Sequence, residues 1–205
     1  MKKVILLLSL LLSLSSCRED DFDILPSITQ EGLNTFGCLI DWEVLVPKDA
    51  EPNFAIGASG LSVRYVKDSL KNSDKPPYFS ILASNYKNKG GDLIYIYIPS
   101  LSQIGTFPLG SSNGYMGIDS PPQPNVFVNV YDRDDNFKRY LSFYKSGQIT
   151  ITRFDTTNTI ISGYFDLKVI DQDTGMDTIE IRDGRFDINW RTLNCGKTLW
   201  HQPCP

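Results

Sequence analysis

The chain has 205 residues, of which 41% are hydrophobic and 12% aromatic, enough apolar material for a real core. With 20 basic residues against 24 acidic ones the net charge is −4, and Lys and Arg form no run or patch. Nucleic-acid partners are therefore excluded, because that binding depends on neutralising phosphates.

The chain opens with Lys2 and Lys3, followed by an aliphatic run from Val4 to Leu14 interrupted only by Ser9 and Ser13. A membrane-spanning helix needs about 20 apolar residues. This run is too short for that and has the length of a signal-peptide core. It ends in Leu14-Ser15-Ser16-Cys17, which resembles a lipobox. Small residues expose the scissile bond, and the thiol accepts diacylglycerol. Residues 1–16 are thus expected to be a lipoprotein signal peptide, with Cys17 the lipidated first residue of the mature chain. Two or more acyl chains hold stably to a bilayer, and the resemblance implies three. Loss of Lys2 and Lys3 leaves 18 basic against 24 acidic residues, a net of −6.

Residues 17–33 read as an acidic tether. Glu19-Asp20-Asp21 resembles the export signal that sends Bacteroidota lipoproteins to the outer face of the outer membrane. The expected location is therefore the cell surface, with the periplasmic face as the alternative.

Residues 34–193 carry short β-rich runs separated by turn clusters. Thr35–Ile40 and Glu43–Val46 form a hairpin around Asp41-Trp42. Strands follow at Leu61–Val66, Tyr78–Ala83 and Leu93–Ile98. In the last of these Ile94, Ile96 and Ile98 face one way, and Tyr95 and Tyr97 the other. Val126–Tyr131 alternates again. Tyr140–Tyr144 and Gln148–Phe154 flank the turn Lys145-Ser146-Gly147. Ile160–Ile170 and Thr178–Ile181 flank the loop Asp171–Asp177, and Arg185–Trp190 follows the turn dipeptide Asp183-Gly184. Segments 47–60, 70–77 and 108–125 are loops rich in Pro, Gly, Ser and Asn. Strands at such intervals without helices predict a single all-β domain, an antiparallel β-sandwich or open barrel. Residues 194–205 form a C-terminal tail.

Several phrases resemble a family of Bacteroidota lipoproteins of uncharacterised function. Leu33 to Asp41, with Val44 to Pro47 after it, is similar to that family's NTFGC start, departing at Trp42, where the family has Gly. Ile104 to Gly110 resembles its central turn. Ile161 to Asp166, and Ile179 to Asp187 with Asp183-Gly184-Arg185-Phe186-Asp187, resemble its closing DGRFD strands. The resemblance covers most of residues 33–190. It implies a fold class and a location, and no reaction.

Few residue patterns carry chemistry. His201 is the single histidine and sits in a terminal tail, so no Ser-His-Asp or Cys-His arrangement is available. With Cys17 lipidated, Cys38, Cys195 and Cys204 remain in a compartment that permits disulfides. Cys195–Cys204 is the favoured bridge, with a link from Cys38 to the tail as its competitor. Cys38, in an apolar run, reads as a small buried hydrophobe. Asp171, Asp173, Asp177 and Glu180 offer alternating oxygens that suit calcium. Asp132, Asp134, Asp135 and Asn136 form a poorer cluster. Such residues also serve hairpin loops. Tyr95 and Tyr97 are candidates for a ligand platform if exposed, and for packing if covered. The expected role is a non-enzymatic, membrane-anchored binding or structural module of the cell envelope, its partner a protein or a glycan. The alternatives are a carbohydrate-binding accessory lipoprotein of a glycan-uptake system and a carboxylate-dependent envelope hydrolase.

Overall fold

A computed structural model describes residues 24–51, 58–66, 77–87, 91–131 and 136–193. Eleven strands are present among them: β1 (Thr35–Ile40), β2 (Glu43–Leu45), β3 (Leu61–Val66), β4 (Tyr78–Asn85), β5 (Asp92–Pro99), β6 (Gly105–Pro108), β7 (Asn125–Tyr131), β8 (Phe137–Leu141), β9 (Gly147–Asp155), β10 (Ile160–Asp171) and β11 (Thr178–Asn189). A short helix, α1 (Trp190–Leu193), follows β11. The chain is all-β, as expected.

Every strand pairing is antiparallel, and one sheet runs β2-β1-β11-β10-β8-β7-β5-β4-β3. The long β10 is shared on one edge: β9 pairs with it from Ile160 to Leu167, and β8 from Ile170 to Asp171. The short β6 lies outside β9. The sheet curls into a half-barrel, because its far end comes round to meet the rest. Tyr65 of β3 packs against Phe154 of β9 at 5.8 Å between ring centroids and against Trp190 of α1 at 5.1 Å. After β2 the chain crosses to β4, where Lys48 bridges Asn85. The open-barrel expectation is therefore the one realised.

The concave face holds the core. Alternation places Phe79, Ile81, Ile94, Ile96, Val128 and Phe165 inside, all 0–1% exposed. Burying an aliphatic or aromatic side chain of this size stabilises by about 2 kcal/mol. The convex face of β4, β5 and β7 is covered too. Tyr78, Tyr95, Tyr97 and Phe127 form a second cluster there. The segment 109–124 lies over it, tied down at several points. The Tyr95 hydroxyl accepts the Gly117 amide at 2.7 Å, the Ser112 amide donates to the Ser142 carbonyl at 2.8 Å, and the Ser142 hydroxyl donates to the Gly110 carbonyl at 2.9 Å.

Three details differ from the sequence expectation. Gly105–Pro108 is a strand. The eighth strand is Phe137–Leu141, earlier than the expected Tyr140–Tyr144. Asp183-Gly184 is a bulge inside one twelve-residue strand, not a turn between two. Opposite it, one residue of β10 (Asp166, between Phe165 and Leu167) faces two of β11 (Asp183 and Arg182, between Gly184 and Ile181), and β1 shows the same offset. Asp183 takes up the extra residue with φ of +52°. The hairpin at Asp41-Trp42 stays tight despite its tryptophan. Both residues adopt positive φ, as a two-residue primed turn requires. The Arg182 guanidinium lies 4.2 Å above the Trp42 ring.

Candidate functional site

The two motifs that anchor the family resemblance are neighbours. In the β1–β11 pairing Thr35 faces Asp187, Phe36 faces Phe186 and Gly37 faces Arg185. Phe36 and Phe186 point into the core. Gly37, Arg185 and Asp187 point outward, where they hold the incoming segment 24–33. A Cβ on Gly37 would lie 2.6 Å from the Pro26 ring, so only glycine lets that ring settle on the strand. Arg185 Nη1 donates to the Pro26 carbonyl at 3.3 Å.

Asp187 does most of the holding. It is 1% exposed and accepts five hydrogen bonds. The donors are the Thr29 hydroxyl (2.6 Å), the amides of Glu31 (2.9 Å), Gly32 (2.8 Å) and Leu33 (3.3 Å), and the Ser162 hydroxyl (2.7 Å). Burial alone pushes its carboxyl up, but these donors outweigh it and hold the group below its ordinary value. Segment 24–33, expected as free tether, is therefore docked on the domain. The motifs build a cradle for the chain's own N-terminal segment.

The other expected site residues fare differently. Tyr95 and Tyr97 are 3% and 1% exposed under segment 109–124, so they form packing and not a ligand platform. Three of the four calcium candidates, Asp171, Asp177 and Glu180, are spent on internal partners. Asp171 Oδ1 accepts the amides of Asp173 (2.7 Å) and Thr174 (2.9 Å), which lower its carboxyl. Asp177 accepts the Tyr140 hydroxyl at 2.8 Å. That contact and burial push the phenol of Tyr140 up, burial being the larger cause. Glu180 pairs with Lys168 at 2.8 Å and with Arg182. The structure does not gather Asp171, Asp173, Asp177 and Glu180 around one point, and no group of three His, Cys, Asp or Glu is placed to hold a metal among the described residues. Cys38 is a buried free thiol, pushed well up by burial. Cys17, Cys195, Cys204, His201, Asp132, Asp134 and Asp135 lie outside the described residues.

A groove that the sequence reading missed opens on the convex face of β6, β9 and β10, with a volume of about 490 Å³. Strand register assembles it. Thr106, Thr150, Tyr164 and Arg185 stand in one row across β6, β9, β10 and β11. Pro108, Gln148 and Asp166 stand in the next row. Lys145 in the turn before β9 lies at one side, and Phe165 contributes to the floor. Tyr164 is 44% exposed. Asp166 Oδ1 accepts the Asp183 amide at 2.8 Å. The alternation of Tyr164, Asp166 and Lys168 on β10 was readable as an outward face. That Gln148 and Pro108 lie beside them depends on strand neighbours, which alternation does not reveal.

A smaller cavity of about 220 Å³ sits at the barrel end, lined in part by Asp41, Glu43, Asp92, Lys138 and Tyr140. Among the described residues no helix is long and apolar enough to cross a membrane.

The fold thus defines the class: a curled antiparallel half-barrel with a docked N-terminal segment. Comparison with protein-family models, curated proteins and solved structures returns no match.

Proposed function

We propose that this protein is a lipid-anchored, extracytoplasmic binding module of the cell envelope, without enzymatic activity of its own. The observation that carries the reading is Leu14-Ser15-Ser16-Cys17, at the end of an apolar run too short to span a bilayer. The acidic residues Glu19 to Asp21 support display on the outer face of the outer membrane. The NTFGC and DGRFD phrases support kinship with the Bacteroidota lipoproteins they resemble. The docked segment adds a physical consequence. Only the residues from Cys17 to Ile24 separate the lipid from the domain, a reach of at most about 25 Å. The module would sit close against the membrane.

Replacement of Cys17 by Ser tests the anchor. Radiolabelled palmitate should be incorporated by the wild type and not by the variant, which should leave the membrane fraction. Continued labelling of C17S would overturn the reading. Protease treatment of intact cells then separates surface display from a periplasmic location.

A further inference from the structure

We infer that the convex groove over β6, β9 and β10 binds a neutral glycan chain. The inference rests on the reading of the protein as an envelope binding module and names its ligand.

Three features carry it. The first is an exposed aromatic in a polar groove. Tyr164 is 44% exposed, while the tyrosines of the neighbouring convex cluster are buried. A pyranose ring presents an apolar patch of C–H bonds that packs on such a ring, and the phenol remains available to hydroxyls.

The second is a set of polar groups left uncommitted. The Gln148 amide and Asp166 Oδ2 make no hydrogen bond within the described residues, and the Lys145 ammonium meets only the Tyr144 ring, at 5.2 Å. Three other carboxylates are by contrast spent internally: Asp155 caps its own turn through Thr157 and Asn158, Asp171 holds its loop and Asp187 the N-terminal segment. The groove gathers an amide, an anion and a cation whose hydrogen-bonding capacity faces solvent. Sugar hydroxyls donate and accept at once, so one ring can donate to Asp166 while accepting from Lys145 and Gln148. Hydrogen bonds to charged groups are the stronger kind.

The third feature is what the groove disfavours. Lys145 and Asp166 oppose each other in sign, so a phosphate would meet a carboxylate and a metal cation an ammonium. A compact apolar ligand needs most of its surface enclosed, and this groove is open. A peptide adding to the edge of β6 would find only Gly105–Pro108, ending in a residue with no amide hydrogen. A neutral polyhydroxylated chain suits the whole set.

The test uses full-length lipidated protein in a sugar-free detergent. It is titrated calorimetrically with cellohexaose, xylohexaose and mannohexaose at roughly 1 mM, where weak sites still register. Binding of at least one is expected. Tyr164→Ala and Gln148→Ala should each weaken it by about tenfold or more. Tyr115→Ala, which removes an exposed tyrosine on segment 109–124 outside the groove, should leave it unchanged. Circular dichroism of each variant establishes that the fold persists. Absence of heat with all three chains would overturn the inference. So would binding that survives Tyr164→Ala in a folded protein. Either failure leaves the anchored-module reading to its palmitate test, and failure of that test would not be mimicked by the titration.

Discussion

Replacing Asp187 with alanine removes the acceptor for five donors at once. Three are backbone amides of the N-terminal segment and two are hydroxyls. A buried donor left without a partner costs about 1–3 kcal/mol, and hydrogen bonds to a charged group contribute about 1.5–3 kcal/mol each. The full sum is not expected, because the segment has an escape. It can lift off the sheet and let water reach the amides. The loss is therefore capped by the free energy of docking, which we place at about 3 kcal/mol. For a domain of this size that lowers Tm by about 6–12 °C. Urea denaturation measures the loss, and limited proteolysis locates it: cleavage between Thr29 and Leu33 should appear in D187A under native conditions. The pH dependence gives an independent check. The folded carboxyl is held below its ordinary value, so its contribution is fully present above about pH 4. It disappears as pH falls through the folded value. The stability gap between wild type and Asp187→Asn should be largest at neutral pH and close on acidification. A D187A variant within about 0.5 kcal/mol of wild type, with no new cleavage at 29–33, would refute the clamp.

Four further outcomes are expected. A Cβ at position 184 would lie 2.3 Å from the Phe165 ring, inside the core, so Gly184→Ala should destabilise the whole domain by about 2–4 kcal/mol in urea titrations. Gly37→Ala meets Pro26 and Leu25 of the docked segment, so it should expose segment 24–33 to protease while leaving the global transition nearly in place. Tyr95→Phe removes the acceptor for the Gly117 amide and should cost about 1 kcal/mol, with faster amide exchange confined to segment 109–124. The Cys38 thiol, buried and pushed well up, should resist iodoacetamide in the native protein and react on unfolding, as peptide mapping would show.

The elements most legible in the sequence were those with strict alternation. β5 is the clearest: its isoleucines enter the concave core and its tyrosines the convex cluster. The fate of those tyrosines was not legible. Whether an outward tyrosine is a platform or a second core depends on segment 109–124 folding back, and that segment carries no periodic signal. β6 was missed because four residues ending in proline look like the start of a loop. Asp183-Gly184 reads as a turn because both residues tolerate positive φ, and a bulge uses the same chemistry. The calcium spacing in Asp171–Asp177 was real. The Asp171 and Asp177 oxygens face the loop's own amides and Tyr140, a choice that local sequence does not encode.

Clamp and groove lie on the same convex face, and on the proposed reading their proximity ties anchor to ligand. Gly37, Arg185 and Tyr164 are consecutive members of one cross-strand row. Arg185 holds the Pro26 carbonyl on one side, while Tyr164 walls the groove on the other. With Cys17 lipidated as proposed, the chain reaches the domain one strand away from the groove. Docking would then govern how the groove sits relative to the bilayer. Releasing residues 24–33 would add up to about 35 Å of reach. It would also uncouple the groove's orientation from the membrane. A free tether of that length would be the simpler way to hold a module loosely. Five hydrogen bonds on Asp187 and a glycine kept clear for Pro26 oppose that freedom, which favours a glycan presented at a fixed height over one captured at random from the medium.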